Sequence, residues 1–168
     1  FCKEGAEVVF CDISREDGDR AEQDLRQHGY CAHFVYADLG DSEDICNMIK
    51  QAVLICGRID ILVNNAGISQ STKIEDYQPE EFDKIMDLNV KALFYTIQPT
   101  VKVMREQGGG CIINTSSMVS ISGQPSGVGY PASKFAVNGL TLSLARELGP
   151  SNIRVNAVAP GITRTDMV

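Results

Sequence analysis

Ile59-Asp60-Ile61-Leu62-Val63-Asn64 runs directly into Asn65-Ala66-Gly67. The first six residues form an apolar run of strand length, and the next three are turn chemistry. An amphipathic strand with one wet face would alternate. A nearly continuous apolar run instead suits a strand covered on both sides, as in a parallel sheet flanked by helices.

The pattern repeats outward from there. Glu7–Asp12 and Tyr30–Asp38 read as strands. Between them a polar helix runs from a Ser14 cap to about Gln27, with acids in its first turn and Gly29 beyond its end. Ser42 is expected to cap a second helix, with Ile45, Met48, Ile49, Ala52 and Val53 at helical spacing. Downstream, a long helix is expected from about Pro79 to Gln107. Its buried stripe would be Phe82, Ile85, Met86, Leu93, Phe94, Ile97, Val101 and Met104, and Gly108-Gly109-Gly110 would stop it. Cys111–Ser116 is a strand, a Gly/Ser/Pro-rich loop follows to about Gly129, and Pro131 to about Leu148 is a helix. Ile153–Ala159 is a last strand. Alternating strands and helices give an α/β fold, a doubly wound parallel sheet of Rossmann-like type, as one domain over residues 1–168.

Composition narrows the function classes. The chain has 168 residues, 43% hydrophobic and 22% charged, with a net charge of −7. That balance is globular and argues against a nucleic-acid or membrane-surface binder. No apolar run approaches the roughly 18 residues of a membrane span. Phe1–Phe10 lacks the basic-then-apolar pattern of a signal peptide. Six cysteines, with no C-x-x-C pair, and two histidines argue against zinc. The cysteines read as small buried hydrophobes in a reducing, cytoplasmic setting.

In such folds ligands bind beyond the carboxyl ends of the strands. Asp12, Asp38, Asn64–Gly67, Ser116–Ser117 and Pro160–Thr165 all fall there. Asp12 suits a ribose-binding acid or a turn aspartate, and Asp38 an adenine contact or a turn. Asn65, Ala66 and Gly67 suit close approach to a cofactor or a plain turn. Asn89 interrupts a helical stripe. It is either a polar residue on a wet face or the mark of a local helix opening that frees a carbonyl for a water.

Tyr130 and Lys134 share one helix face. A phenol with its ordinary pKa of about 10 is a poor base at neutral pH, and a neighbouring ammonium favours the phenolate. Pro131 confines itself to the first helical turn and biases Tyr130 toward extended backbone. Ser117 adds a hydroxyl thirteen residues before Tyr130.

These pieces together resemble the classical branch of the short-chain dehydrogenase/reductase family. The carriers are Asn64-Asn65-Ala66-Gly67, Asn89-Val90, Asn114-Thr115-Ser116-Ser117, Tyr130-Pro-Ala-Ser-Lys134, the helix FAVNGLTLSLARELGP, and Ile153–Gly161 with Thr165-Asp-Met167. The resemblance implies reversible hydride transfer between a nicotinamide cofactor and a secondary alcohol or ketone. It casts Tyr130 as acid/base, Lys134 as its modulator and ribose holder, Ser117 as substrate-oxygen binder, and Asn89 as anchor of a proton-relay water. Asp38 and Asn65–Gly67 would line the adenosine side, and Pro160, Gly161, Thr163 and Thr165 would seat the carboxamide. Asp12 favours NAD(H) over NADP(H), with Arg15 nearby as a counterweight.

The family's Gly-rich phosphate loop should precede such an acid by about 20 residues; only eleven residues precede Asp12. The expectation is a domain incomplete at both ends, lacking that loop, the substrate lid and the last strand. Pro131, where the family usually carries a small residue, is a milder departure. The expected substrate is a small-molecule alcohol or ketone such as a hydroxysteroid or sugar alcohol, and the expected assembly a homodimer or homotetramer. The alternatives are a 3-oxoacyl-carrier-protein reductase and an inert fragment or oligomerisation unit.

Overall fold

The computed structural model describes residues 1–163. They form two compact units, Phe1–Ile59 and the segment from Asp60 onward, each considered by itself.

The first unit holds β1 (Val8–Asp12), α1 (Arg15–Gln27), β2 (Ala32–Tyr36) and α2 (Ser42–Cys56). β1 and β2 pair in parallel, with Val8 opposite Ala32 and Asp12 opposite Tyr36. Ser14 caps α1 by accepting from the Asp17 amide at 3.2 Å. The cap of α2 is Asp41 rather than Ser42: its carboxylate accepts from Glu43 N at 2.7 Å, one residue earlier than expected. Either side chain can satisfy an orphan amide at that end, so the shift alters no packing. Ile45 and Ile49 of α2 are buried together with Ala32 and Ala37.

The second unit holds β3 (Ile61–Asn64), α3 (Pro79–Met86), α4 (Ala92–Glu106), β4 (Gly110–Thr115), α5 (Val119–Ser122), α6 (Gly129–Leu148) and β5 (Ile153–Val158). Its sheet is parallel throughout, in the order β3-β4-β5. Ile112, Val155 and Ile153 from the sheet are buried, as are Ile85, Leu93, Ile97, Met104, Val137 and Leu148 from the helices. Parallel strands with covering helices give the expected Rossmann-like α/β class, with the described strands in separate sheets of two and three.

The helix expected over Pro79–Gln107 is split. Asp87–Lys91 forms a π-helical turn between α3 and α4, centred on buried Asn89. Half the expected stripe is buried, but Phe82 and Phe94 are 37% and 44% exposed. The π turn adds a residue to the helical repeat, so an unbroken 3.6-residue stripe does not continue across it.

Two further expectations are corrected. Tyr130 is helical, not extended: α6 begins at Gly129, and Pro131 is its third residue, where a missing N–H is still free of cost. Tyr130 N already bonds Gly127 O at 3.2 Å, so the turn before Pro131 is closed by other groups. The cysteines are also less buried than their apolar neighbours suggest. Cys31 and Cys46 are exposed and the other four are intermediate, because strand ends and helix flanks, not sheet centres, carry them.

Candidate active site

The C-terminal ends of β3 and β4 are bolted together by side chains. Asn64 and Asn114 are register partners at these ends. Asn64 Nδ2 donates to Asn114 Oδ1 at 2.9 Å, Thr96 Oγ1 of α4 donates to Asn64 Oδ1 at 2.6 Å, and Asn114 Nδ2 donates to Thr141 Oγ1 of α6 at 3.0 Å. A buried polar chain with its partners in place fixes the strands and two helices in one arrangement. The doubled asparagine signals this only in part. Asn64 braces the sheet, while Asn65 points its Oδ1 to a 3.3 Å bond from Thr115 Oγ1.

Asn89 joins the loop after β3 to α6. Its Oδ1 accepts from Ile68 N at 2.9 Å, and its Nδ2 donates to Ile68 O at 2.9 Å and to Ser133 Oγ at 3.0 Å. The π turn thus aims a buried amide at the backbone that follows Gly67. Gly67 must be small: a Cβ there would lie 3.0 Å from Asn89 Oδ1 and 3.5 Å from Lys134 Nζ. Ser133, which the sequence did not flag, is the third partner.

Lys134 is buried, 4% exposed, and its Nζ donates to Thr115 O at 2.8 Å. The same Nζ sits 5.6 Å from the centroid of the Tyr130 ring, within cation–π range. Burial holds the ammonium below the usual lysine range, because the charged form is poorly solvated there.

Ser117 lies two residues before α5, in a segment pinned on both sides. Ser120 N and Oγ both donate to Ser117 O, at 3.0 and 2.6 Å. Asn138 of α6 donates from Nδ2 to Ser120 Oγ at 2.8 Å and accepts from Ser116 Oγ at 2.7 Å. The residues on either side of Ser117 are therefore tied to the helix that carries Tyr130 and Lys134. The loop after β5 joins in, since Met118 N donates to Pro160 O at 3.0 Å. Gly161 is close enough to Met118 that an added Cβ would come within 2.9 Å of its sulfur, and Thr163 Oγ1 bonds Gly161 O at 3.3 Å. Thr165 lies outside the described residues.

Asp12 and Asp38 belong to the first unit, at or just beyond the ends of adjacent strands. Asp12 Oδ1 accepts from Ser14 N at 2.8 Å, and Asp38 Oδ1 accepts from Gly40 N at 2.8 Å. Both are turn aspartates, and an ionised carboxylate with one such bond retains capacity for further donors. Arg15 is stacked 3.9 Å from the centroid of Tyr36, the residue opposite Asp12.

The short chain dehydrogenase family model matches residues 1–168. The chain belongs to that family. A 3alpha-hydroxysteroid dehydrogenase of Mediterraneibacter gnavus is 60% identical over 170 residues, covering 100% of this chain and 68% of the relative. NAD+-bound xylitol dehydrogenase matches the fold with a TM-score of 0.91 and 34% identity, over 95% of this chain and 62% of that one. A gluconate 5-dehydrogenase from Burkholderia cenocepacia, in complex with NADP and tartrate, matches with a TM-score of 0.93 and 29% identity, over 99% and 65%. The chain thus spans about two thirds of the length of these proteins.

Proposed function

We propose that the whole protein interconverts a secondary alcohol and a ketone, with Tyr130 exchanging the proton on the substrate oxygen. The Lys134 ammonium beside the Tyr130 ring, on one turn of α6, carries this reading. A cation there stabilises the negative charge that develops on the phenol oxygen as its proton is transferred. Ser117, on its pinned segment, hydrogen-bonds the same oxygen and orients it. Asn89 holds the backbone after β3 and the first turn of α6 in fixed relation.

The residues fit a nicotinamide cofactor. Gly67 leaves space that a side chain would fill against Asn89 and Lys134. Asn65, Ala66 and Gly67 would line its path, Lys134 its ribose, and Pro160, Gly161, Thr163 and Thr165 its carboxamide. When bound, the nicotinamide supplies or accepts the hydride. Asp12 and Asp38 would take the adenosine end. NAD(H) is the preferred form because the Asp12 carboxylate repels a 2′-phosphate.

An apolar secondary alcohol, a hydroxysteroid by class, is the substrate this site suits. Met118 and Ile121 beside Ser117, Val128 beside Tyr130, and Ile162 after β5 are all exposed, Ile121 at 79% and Ile162 at 97%. Such side chains at strand-end loops reward an apolar ligand. The hydroxysteroid dehydrogenase relative supports the same class. Exposed Phe94 and Tyr95 on α4, with Phe135 and Leu142 on α6, support self-association as a homodimer or homotetramer. A cytoplasmic setting belongs to the same reading; no described helix is long and apolar enough to cross a membrane.

Replacing Tyr130 by Phe in the full-length protein tests the reading. Turnover of a hydroxysteroid should fall by at least about 100-fold, while NADH binding, read by nicotinamide fluorescence, persists. Retained turnover would exclude Tyr130 as the proton carrier.

A further inference from the structure

At the N-terminal ends of β1 and β2, the opposite ends of those strands from Asp12, three donors of different chemistry converge. Glu7 precedes β1, Cys31 precedes β2, and His33 is the second residue of β2. Cys31 and His33 are two apart along the chain entering β2 and so face the same side; Glu7 and Cys31 each stand one residue before the Val8–Ala32 pair that opens the ladder. Glu7 Oε1 lies 2.9 Å from His33 Nε2 and 3.5 Å from Cys31 Sγ, and the sulfur lies 3.7 Å from the same nitrogen. In a tetrahedral zinc site with bonds of about 2.0–2.3 Å, neighbouring ligand atoms stand about 3.3–3.8 Å apart. The present triangle needs only a few tenths of an ångström to match.

We propose that Glu7, Cys31 and His33 form a zinc-binding site that clamps the start of β1 to the start of β2, with a water as the fourth ligand. Mixed sulfur, imidazole and carboxylate donors favour Zn²⁺ over calcium or magnesium. Spacing along the chain hides the site, because Glu7 comes from another strand and no C-x-x-C pair is present.

Ligation rearranges protons locally. Arg26 donates to His33 Nδ1 at 3.3 Å, so without metal the imidazole carries its hydrogen on Nε2 and gives it to Glu7. When Nε2 binds zinc, that hydrogen moves to Nδ1. Arg26 then rests on Glu22, 2.8 Å away, and on Ala32 O, 3.1 Å from its Nε, both of which it already holds. The Cys31 thiol releases its proton to solvent on binding.

Titration of the full-length, chelator-treated protein with Zn²⁺ and with Co²⁺ tests this. One ion should bind per chain, and the Co²⁺ form should show thiolate-to-metal charge-transfer absorption. Cys31→Ser should weaken Zn²⁺ binding at least about 100-fold, exceeding the 10–100-fold cost of losing an outer-shell partner; Cys46→Ser, outside the cluster, should leave it unchanged. On the unaltered chain, Zn²⁺ should slow alkylation of Cys31 and leave that of Cys46 unchanged, mapped by peptide mass. That readout decides the matter even if Cys31→Ser does not fold. No stoichiometric binding, a Co²⁺ spectrum without the charge-transfer band, or unchanged alkylation of Cys31 would overturn the proposal.

Discussion

Lys134 Nζ donates a 2.8 Å hydrogen bond to the carbonyl of Thr115, the last residue of β4. That bond anchors the ammonium at the end of a sheet strand while its charge remains beside the Tyr130 ring. No carboxylate neutralises it within the contacts of the described residues, and the position is costly for folding.

The cost has a sign that can be measured. Burial lowers the folded-state pKa of Lys134. Between that value and the unfolded one, about 10.4, the unfolded chain binds more protons and stability rises with pH. Below the folded pKa the full penalty is present. Lys134→Met removes the buried charge but leaves Thr115 O without its donor, a loss of about 1–3 kcal/mol. The two effects oppose, so the variant should lie within about 1 kcal/mol of the parent at pH 7. The comparison should shift in the parent's favour as pH climbs toward about 10. Urea unfolding at several pH values reads this, while turnover is lost throughout. A variant several kcal/mol less stable at pH 7 would show the ammonium to be structural.

Asn89 makes the opposite trade. Its amide satisfies both backbone groups of Ile68 and the Ser133 hydroxyl. Asn89→Ala orphans an amide and a carbonyl at once, and should cost about 2–4 kcal/mol of folding stability. Cofactor affinity should fall with it, because the backbone following Gly67 loses its tether. Thermal unfolding and NADH titration on the same sample check both; a stable variant with unaltered NADH binding would remove Asn89 from the site.

Asn138 tests whether Ser117 is positioned from α6. Asn138→Ala cuts the bonds to Ser116 and Ser120 that flank Ser117. The expected effect is a fall in kcat of about 10-fold or more, since small misplacements of a reacting group are expensive. Cofactor affinity should be unchanged, and Asn138→Asp should recover part of the loss by accepting from Ser116. Equal losses in both variants would point to general destabilisation.

The alternation of strands and helices, the Tyr130–Lys134 face and the strand-end location of Asp12, Asp38, Asn65 and Ser117 were legible in the sequence, because each rests on local periodicity or on turn chemistry. What was not legible is cross-strand. The Asn64–Asn114 bridge depends on register, which spacing does not reveal. The exposure of Phe94 depends on a π turn that one asparagine hints at and does not define. The meeting of Glu7 with Cys31 and His33 depends on which strand ends adjoin.

The proposed role of Asp12 in choosing between cofactors can be tested directly. Its exposed carboxylate caps the turn into α1 through Ser14 N, and Arg15 waits on the Tyr36 ring opposite. Asp12→Ser removes the charge while keeping an oxygen able to accept from Ser14 N. The NADP(H) to NAD(H) ratio of kcat/KM should then rise about 10–100-fold, in line with the 1.5–3 kcal/mol of a charged hydrogen bond. Adding Arg15→Ala should take back part of the gain if Arg15 meets the phosphate. An unchanged ratio would place the ribose away from Asp12.

The loop before α6 carries the last prediction. Gly127 has φ +75°, and a Cβ there would fall 1.9 Å from Gln70 O. Its N–H donates to Thr72 O at 2.8 Å, and Gln124 Nε2 bonds both Gln70 O and Gly127 O, at 3.0 and 2.8 Å. The loop that leads into Tyr130 is thus stitched to residues 70–72. Gly127→Ala meets both left-handed strain, about 1–2 kcal/mol, and a backbone clash. It should destabilise by about 3 kcal/mol or more. Gln124→Ala is milder, at about 1–2 kcal/mol, and separates fold from function. It should raise KM for the alcohol while leaving NADH affinity intact, because the stitches it removes lie along the loop flanked by exposed Ile121 and Val128. An increase in the NADH dissociation constant of the same size as the KM change would show that the loop serves the cofactor and not the substrate.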